Sequence, residues 1–83
     1  GIMLRKTMDI RQRCHPIPLS VLITTANSCD CDIFVEYEAS RVNVKDYDEM
    51  IQGFDTHEKT QMFFFNGIDE SSAEKRITRL FAP

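Results

Sequence analysis

The sequence predicts an α+β fold in two layers, a four-stranded sheet with helices on one face. Three observations lead there. Three segments alternate or nearly alternate apolar and polar residues, the period-two pattern of half-buried strands, and a fourth, Lys59 to Phe65, also reads as a strand. Two other segments carry apolar residues at helical spacing. Their order, β-α-β-β-α-β-α with a short middle helix, lets the two longer helices cover one face of a single sheet.

Each element has its own justification. Leu4, Met8 and Ile10 share a parity with Ile2, while Met3, Arg5, Thr7 and Asp9 take the other. Lys6 breaks an otherwise regular first strand. After a loop from Arg11 to His15, Pro16 and Pro18 flank Ile17 at a helix start. Proline suits a first turn, where its missing N–H has no partner to lose. Leu19, Leu22, Ile23 and Ala26 then form the helical stripe, and Asn27-Ser28 ends it.

Cys31, Ile33, Val35 and Tyr37 alternate with Asp32, Phe34 and Glu36, and Val42 and Val44 alternate with Arg41, Asn43 and Lys45. The short link between these strands predicts a hairpin. Asp46 heads a short helix from Tyr47 to Gln52, stopped by Gly53, with the acid at the N-cap. Lys59 to Phe65 is the fourth strand, with Met62 and Phe64 on one face. Asn66-Gly67 is a turn, and Asp69 to Phe81 a final helix with the stripe Ala73, Ile77, Leu80 and Phe81. Ser71 and Glu74 have capping-box spacing, in competition with Asp69.

Size and charge bound the function. With 83 residues, residues 1–83 form a single domain. A domain this small buries about 60–65% of its unfolded surface, which leaves no room for a deep enclosed active site. Net charge is -3 and no basic run exceeds Arg5-Lys6, which argues against nucleic acid as a partner. No apolar stretch reaches the length of a membrane span. The first residues lack a signal-peptide layout. Three cysteines without an export signal predict reduced thiols in the cytoplasm.

The element order and several local stretches resemble the histidine-containing phosphocarrier (HPr) family. The likeness is strongest over Asp32-Ile33-Phe34-Val35-Glu36-Tyr37 and Ser40-Arg41-Val42-Asn43-Val44-Lys45. Asn66-Gly67-Ile68-Asp69-Glu70 resembles the family's acidic turn into its last helix. With those stretches aligned, His15 and Pro18 fall without a gap on the phosphorylated histidine and a following proline. The resemblance implies an HPr-like open-faced sandwich with an antiparallel sheet. It implies a monomeric carrier of a phosphoryl group on His15, working without a cofactor. Enzyme I of the bacterial phosphotransferase system would supply the phosphate, and sugar-specific acceptor proteins would receive it.

The chemistry suits that position. A neutral imidazole is a nucleophile near physiological pH, and a helix N-terminus offers unpaired N–H groups to an anion. The sequence departs from the family around it. Where the family has a small residue, an arginine and a proline after the histidine, this chain has Pro16, Ile17 and Pro18. Ile17 removes a guanidinium, whose charge-assisted bond is worth roughly 1.5–3 kcal/mol. Pro16 removes a backbone donor; Arg11 and Arg13, near in sequence, are the candidate compensating cations. Asp46 stands where many members carry a regulatory serine, and two readings of it stand, a plain N-cap or a permanent charge at a regulatory position. Tyr47, Met50 and Ile51 are the partner-contact candidates, with Met50 and Ile51 equally suited to the core. Asp48 sits where the family is apolar. These losses support a second hypothesis, a regulatory interaction module that keeps the fold and has lost the phosphate.

Other constellations are weaker. Cys29-Asp30-Cys31 lacks the converging ligands zinc needs, and its parity turns Cys31 toward the core. Cys14 is either a thiol activated near a helix N-terminus or an apolar filler. His57 lies in a polar loop. Phe63, Phe64 and Phe65 alternate faces, and two readings stand for Phe63 or Phe65: an exposed ring that marks a contact surface, or a ring under the hairpin or in the core.

Overall fold

The computed structural model of the chain describes residues 4–9, 17–37, 39–54 and 60–81. Within these, β1 is Leu4–Asp9, α1 Leu19–Asn27, β2 Asp32–Tyr37, β3 Ser40–Asn43, α2 Tyr47–Gly53, β4 Thr60–Asn66 and α3 Glu70–Phe81. The predicted element order holds throughout. The strands form one sheet in the order β1-β4-β2-β3, and all three pairings are antiparallel. β4 therefore sits between β1 and β2, which run parallel to each other.

The register places Ile33, Val35, Val42, Phe63 and Phe65 on the side that packs with the helices. Leu22, Ile23 and Ala26 of α1, Met50 of α2, and Ala73, Ile77 and Phe81 of α3 complete the core. Phe63 and Phe65 are fully buried, and the Phe63 and Phe81 rings lie 5.5 Å apart. Neither is a surface contact, because β4 is a central strand whose helix side is closed over. Phe64, on the opposite side, is buried too, beneath the guanidinium of Arg41.

Lys6 explains the break in the first strand's pattern. It pairs in register with Phe63, so it is on the helix side, and its Nζ reaches Glu74 of α3 at 3.8 Å. An edge strand allows this, since a long side chain can lay its stem along apolar surface and keep its charge in water. The Glu74 carboxylate also accepts from the Thr78 hydroxyl.

Tertiary contacts supply what α1 lacks locally. Its last turn has no basic residue. Lys45 Nζ donates to the Cys29 carbonyl at 2.7 Å, and Arg76 reaches the Ser28 hydroxyl at 3.0 Å. Both cations lie at the negative end of the helix dipole, where cations are favoured. Asn27 donates to the carbonyls of Ile23 and Lys45, tying the end of α1 to the residue before Asp46.

Candidate functional site

The candidate site combines the start of α1 with the exposed side of α2. His15 and Pro16 lie outside the described residues, as do Cys14, Arg11, Arg13 and His57. The described residues resume at Ile17, two positions after the histidine.

Pro18 takes the N-cap position of α1 with an extended backbone, φ -59 and ψ 136, and among the described residues no side chain caps the helix. The helix thus starts one residue beyond Pro18, later than a start at Ile17. The first turn holds no acidic residue. Val21 and Leu22 donate to the Pro18 carbonyl, leaving the N–H groups of Leu19 and Ser20 among the orphan donors of the helix end. Such a terminus favours an anion. Ile17, the residue before the N-cap, has its side chain buried in the core cluster and anchors the chain there.

At α2, Asp46 is an N-cap in the full sense. Its Oδ1 accepts the Glu49 N–H at 3.0 Å. Glu49 in turn accepts the Asn43 N–H at 3.2 Å, so this acid braces the end of β3. Asp48 is exposed. Among the described residues no cation pairs with Asp46, Asp48 or Glu49, and nearby Lys45 is turned to Cys29. The surface is acidic here.

Tyr47 and Ile51 are 59% and 51% exposed and lie one helical turn apart, making a short apolar stripe. Met50 does not join it. Its side chain is fully buried in the core, on the side of α2 turned to the sheet, so it is not a contact residue. Sequence reasoning missed Val21, which is 42% exposed on α1. The available signal was phase: Val21 falls outside the stripe of Leu22, Ile23 and Ala26. Ile68, in the turn before α3, is fully exposed.

Cys31 is buried, as its parity predicted. Burial pushes its thiol up to about 12, and the neighbouring Asp69 carboxylate adds to the rise. Asp69 itself is held below its ordinary carboxyl value, first by the Asp30 N–H and then by the thiol and N–H of Cys31. Burial and the raised value both favour the protonated thiol of Cys31 over the nucleophilic thiolate. Among the described residues no group of three His, Cys, Asp or Glu side chains converges to hold a metal ion. No helix among them is long and apolar enough to cross a membrane.

No protein-family model matches the chain, and no curated protein does. Solved structures do. The crystal structure of HPr-C-His from Thermoanaerobacter tengcongensis superposes with a TM-score of 0.81 at 22% identity, over 94% of this chain and 90% of that one. The phosphocarrier protein HPr from Bacillus anthracis gives 0.82 at 17% identity, over 96% and 98%. The histidine-containing phosphocarrier protein of Mycoplasma gives 0.71 at 18% identity, over 93% and 90%. At these identities the likeness speaks for the fold. The chain is thus HPr-like: its sheet, its three helices and their order are the open-faced sandwich of the histidine-containing phosphocarrier proteins.

Proposed function

We propose that the chain is a phosphocarrier of the phosphoenolpyruvate-dependent sugar phosphotransferase system, acting in the cytoplasm with His15 as phosphoryl acceptor. One observation carries the reading. An HPr-like fold presents an uncapped helix start, free of acidic residues, within a few residues of the only histidine in the N-terminal half. In this reading the orphan N–H groups of α1 steady the phosphoryl oxygens, and their backbone charge substitutes in part for the arginine that Ile17 replaces. Tyr47 and Ile51 supply the apolar contact to enzyme I and to the sugar-specific acceptors. Incubation with labelled phosphoenolpyruvate and a cognate enzyme I tests it. The expected result is acid-labile label on the parent protein and none on His15→Ala. An unlabelled parent protein, or label that survives His15→Ala, defeats it.

Ile17 favours a second reading. Its side chain is buried, so position 17 supplies no cation to the helix start. In that reading the protein regulates through contacts at Tyr47 and Ile51 and carries no phosphate. Binding to a phosphotransferase component that survives His15→Ala and is lost in Tyr47→Ala supports it. Binding unchanged by Tyr47→Ala counts against it.

A further inference from the structure

The sequence holds three asparagines, Asn27, Asn43 and Asn66, and the structure treats them differently. Asn27 has its amide nitrogen bound to two carbonyls, Ile23 at 2.9 Å and Lys45 at 3.1 Å. The next N–H, of Ser28, is held by Thr24 and Thr25. Asn43 has its side-chain oxygen on the Lys45 N–H at 3.0 Å, and the following Val44 N–H is held by the Ile33 carbonyl at 2.9 Å. Asn66 is exposed at the end of β4. Among the described residues neither its side chain nor the Gly67 N–H has a hydrogen-bond partner. The residue after it is glycine, which adds no side chain to shield the backbone nitrogen.

Packing enforces that glycine. A Cβ at position 67 would lie 2.6 Å from the Cβ and 2.7 Å from the Cα of Cys31, and Gly67 has φ 156. The core therefore keeps an Asn-Gly pair at an exposed turn, with neither reacting group held by another described residue.

We propose that Asn66–Gly67 is a site of spontaneous covalent modification, deamidation through a cyclic imide, and that the chain ages there first. The Gly67 backbone nitrogen attacks Cγ of the Asn66 amide. The new N–Cγ bond forms, the Cγ–Nδ2 bond breaks, and ammonia leaves carrying the proton that the Gly67 nitrogen gives up. Water then adds to one of the two imide carbonyls and opens the ring, leaving an aspartyl or isoaspartyl residue at position 66. Nothing is oxidised or reduced. The product carries a new carboxylate opposite Asp32, its cross-strand partner, and close in sequence to Asp69. The isoaspartyl form also adds a methylene to the main chain just before the turn whose Asp69 binds Asp30 and Cys31. Modification therefore weakens the junction of β4, β2 and α3.

The test is incubation of the full chain in mildly alkaline buffer, with isoaspartyl methyltransferase labelling and peptide mass mapping at intervals. Label is expected on the peptide containing Asn66 before any on that containing Asn27, with a matching lower Tm in the modified fraction. In urea, which releases the held amides, the Asn27 peptide is expected to gain label faster while the Asn66 rate changes little. Asn66→Gln is expected to lose the early label. Label appearing first at Asn27 or Asn43 in the folded protein overturns the proposal. So does early label that persists in Asn66→Gln.

Discussion

Asp69 accepts the backbone N–H of Cys31 at 2.8 Å, a contact between residues 38 positions apart. Its other oxygen takes the Asp30 N–H at 2.9 Å. A residue placed by sequence to cap α3 thus ties the start of β2 to the start of that helix. Beside it, Glu70 accepts the Leu4 N–H at 2.9 Å, so the first acids of α3 hold two different strands.

This latch makes stability depend on acid. Asp69 has a folded-state value below its ordinary 3.8, so its contribution is full above that value and is lost as pH falls through the lower, folded one. Asp69→Asn removes the charge and keeps the shape. The urea midpoint of the parent should fall more steeply than that of Asp69→Asn below a pH of about 4. Parallel acid profiles would contradict the role of the carboxylate.

The thiol of Cys31, raised to about 12, should be inert in the folded protein at neutral pH. In a Cys14→Ser, Cys29→Ser background, a disulfide reagent such as dithionitrobenzoate is expected to react with it only after unfolding. Prompt reaction under native conditions would mean that the thiol is neither buried nor suppressed.

Arg41 lies with its guanidinium carbon 4.0 Å from the centroid of the Phe64 ring. It reaches across β2 from an edge strand and covers a ring that the helices do not touch. A cation over an aromatic face at a surface is worth about 0.5–1 kcal/mol. Arg41→Ala should cost about that much in chemical denaturation and uncover Phe64, seen as increased binding of a hydrophobic dye. Unchanged stability together with unchanged dye binding would argue against the contact.

The two sides of α2 should separate cleanly. Tyr47→Ala and Ile51→Ala remove exposed side chains and are expected to change stability by no more than about 0.5 kcal/mol. Met50→Ala opens the core and should cost about 2–5 kcal/mol. Urea titration of the three variants decides it, and a mild Met50→Ala would place that side chain outside the core.

Gly67→Ala forces a methyl group into the Cys31 backbone. Overpacking of this kind costs about 1–3 kcal/mol. Thermal unfolding should show a clear drop in Tm, and an unchanged Tm would show that the turn yields.

Local pattern determined much of this protein. Alternation at Ile33, Val35 and Val42 set β2 and β3 and their inner sides, because a strand exposes successive side chains to opposite faces; the run Phe63-Phe64-Phe65 marked a strand but not its inner side, which the helices packed over Phe63 and Phe65 decided. The stripes of Leu22, Ile23 and Ala26 and of Ala73, Ile77 and Phe81 set the two main helices for the corresponding reason at helical period. Asp46 was legible as a cap because capping acts over a few residues of chain. Tertiary structure alone decided the rest. The seating of β4 between β1 and β2 depends on which surfaces meet in space, and periodicity carries no such information. A short helix such as α2 has too few turns to say which apolar residues face in; the sheet beneath it chose Met50 and left Tyr47 and Ile51 outside. Phe64 is buried with the guanidinium of Arg41, from a different strand, over its ring, a contact that no local pattern announces. And the destination of Asp69 was open: its position before α3 suggested a cap, but its two oxygens take the Asp30 and Cys31 N–H groups that the fold brings within reach.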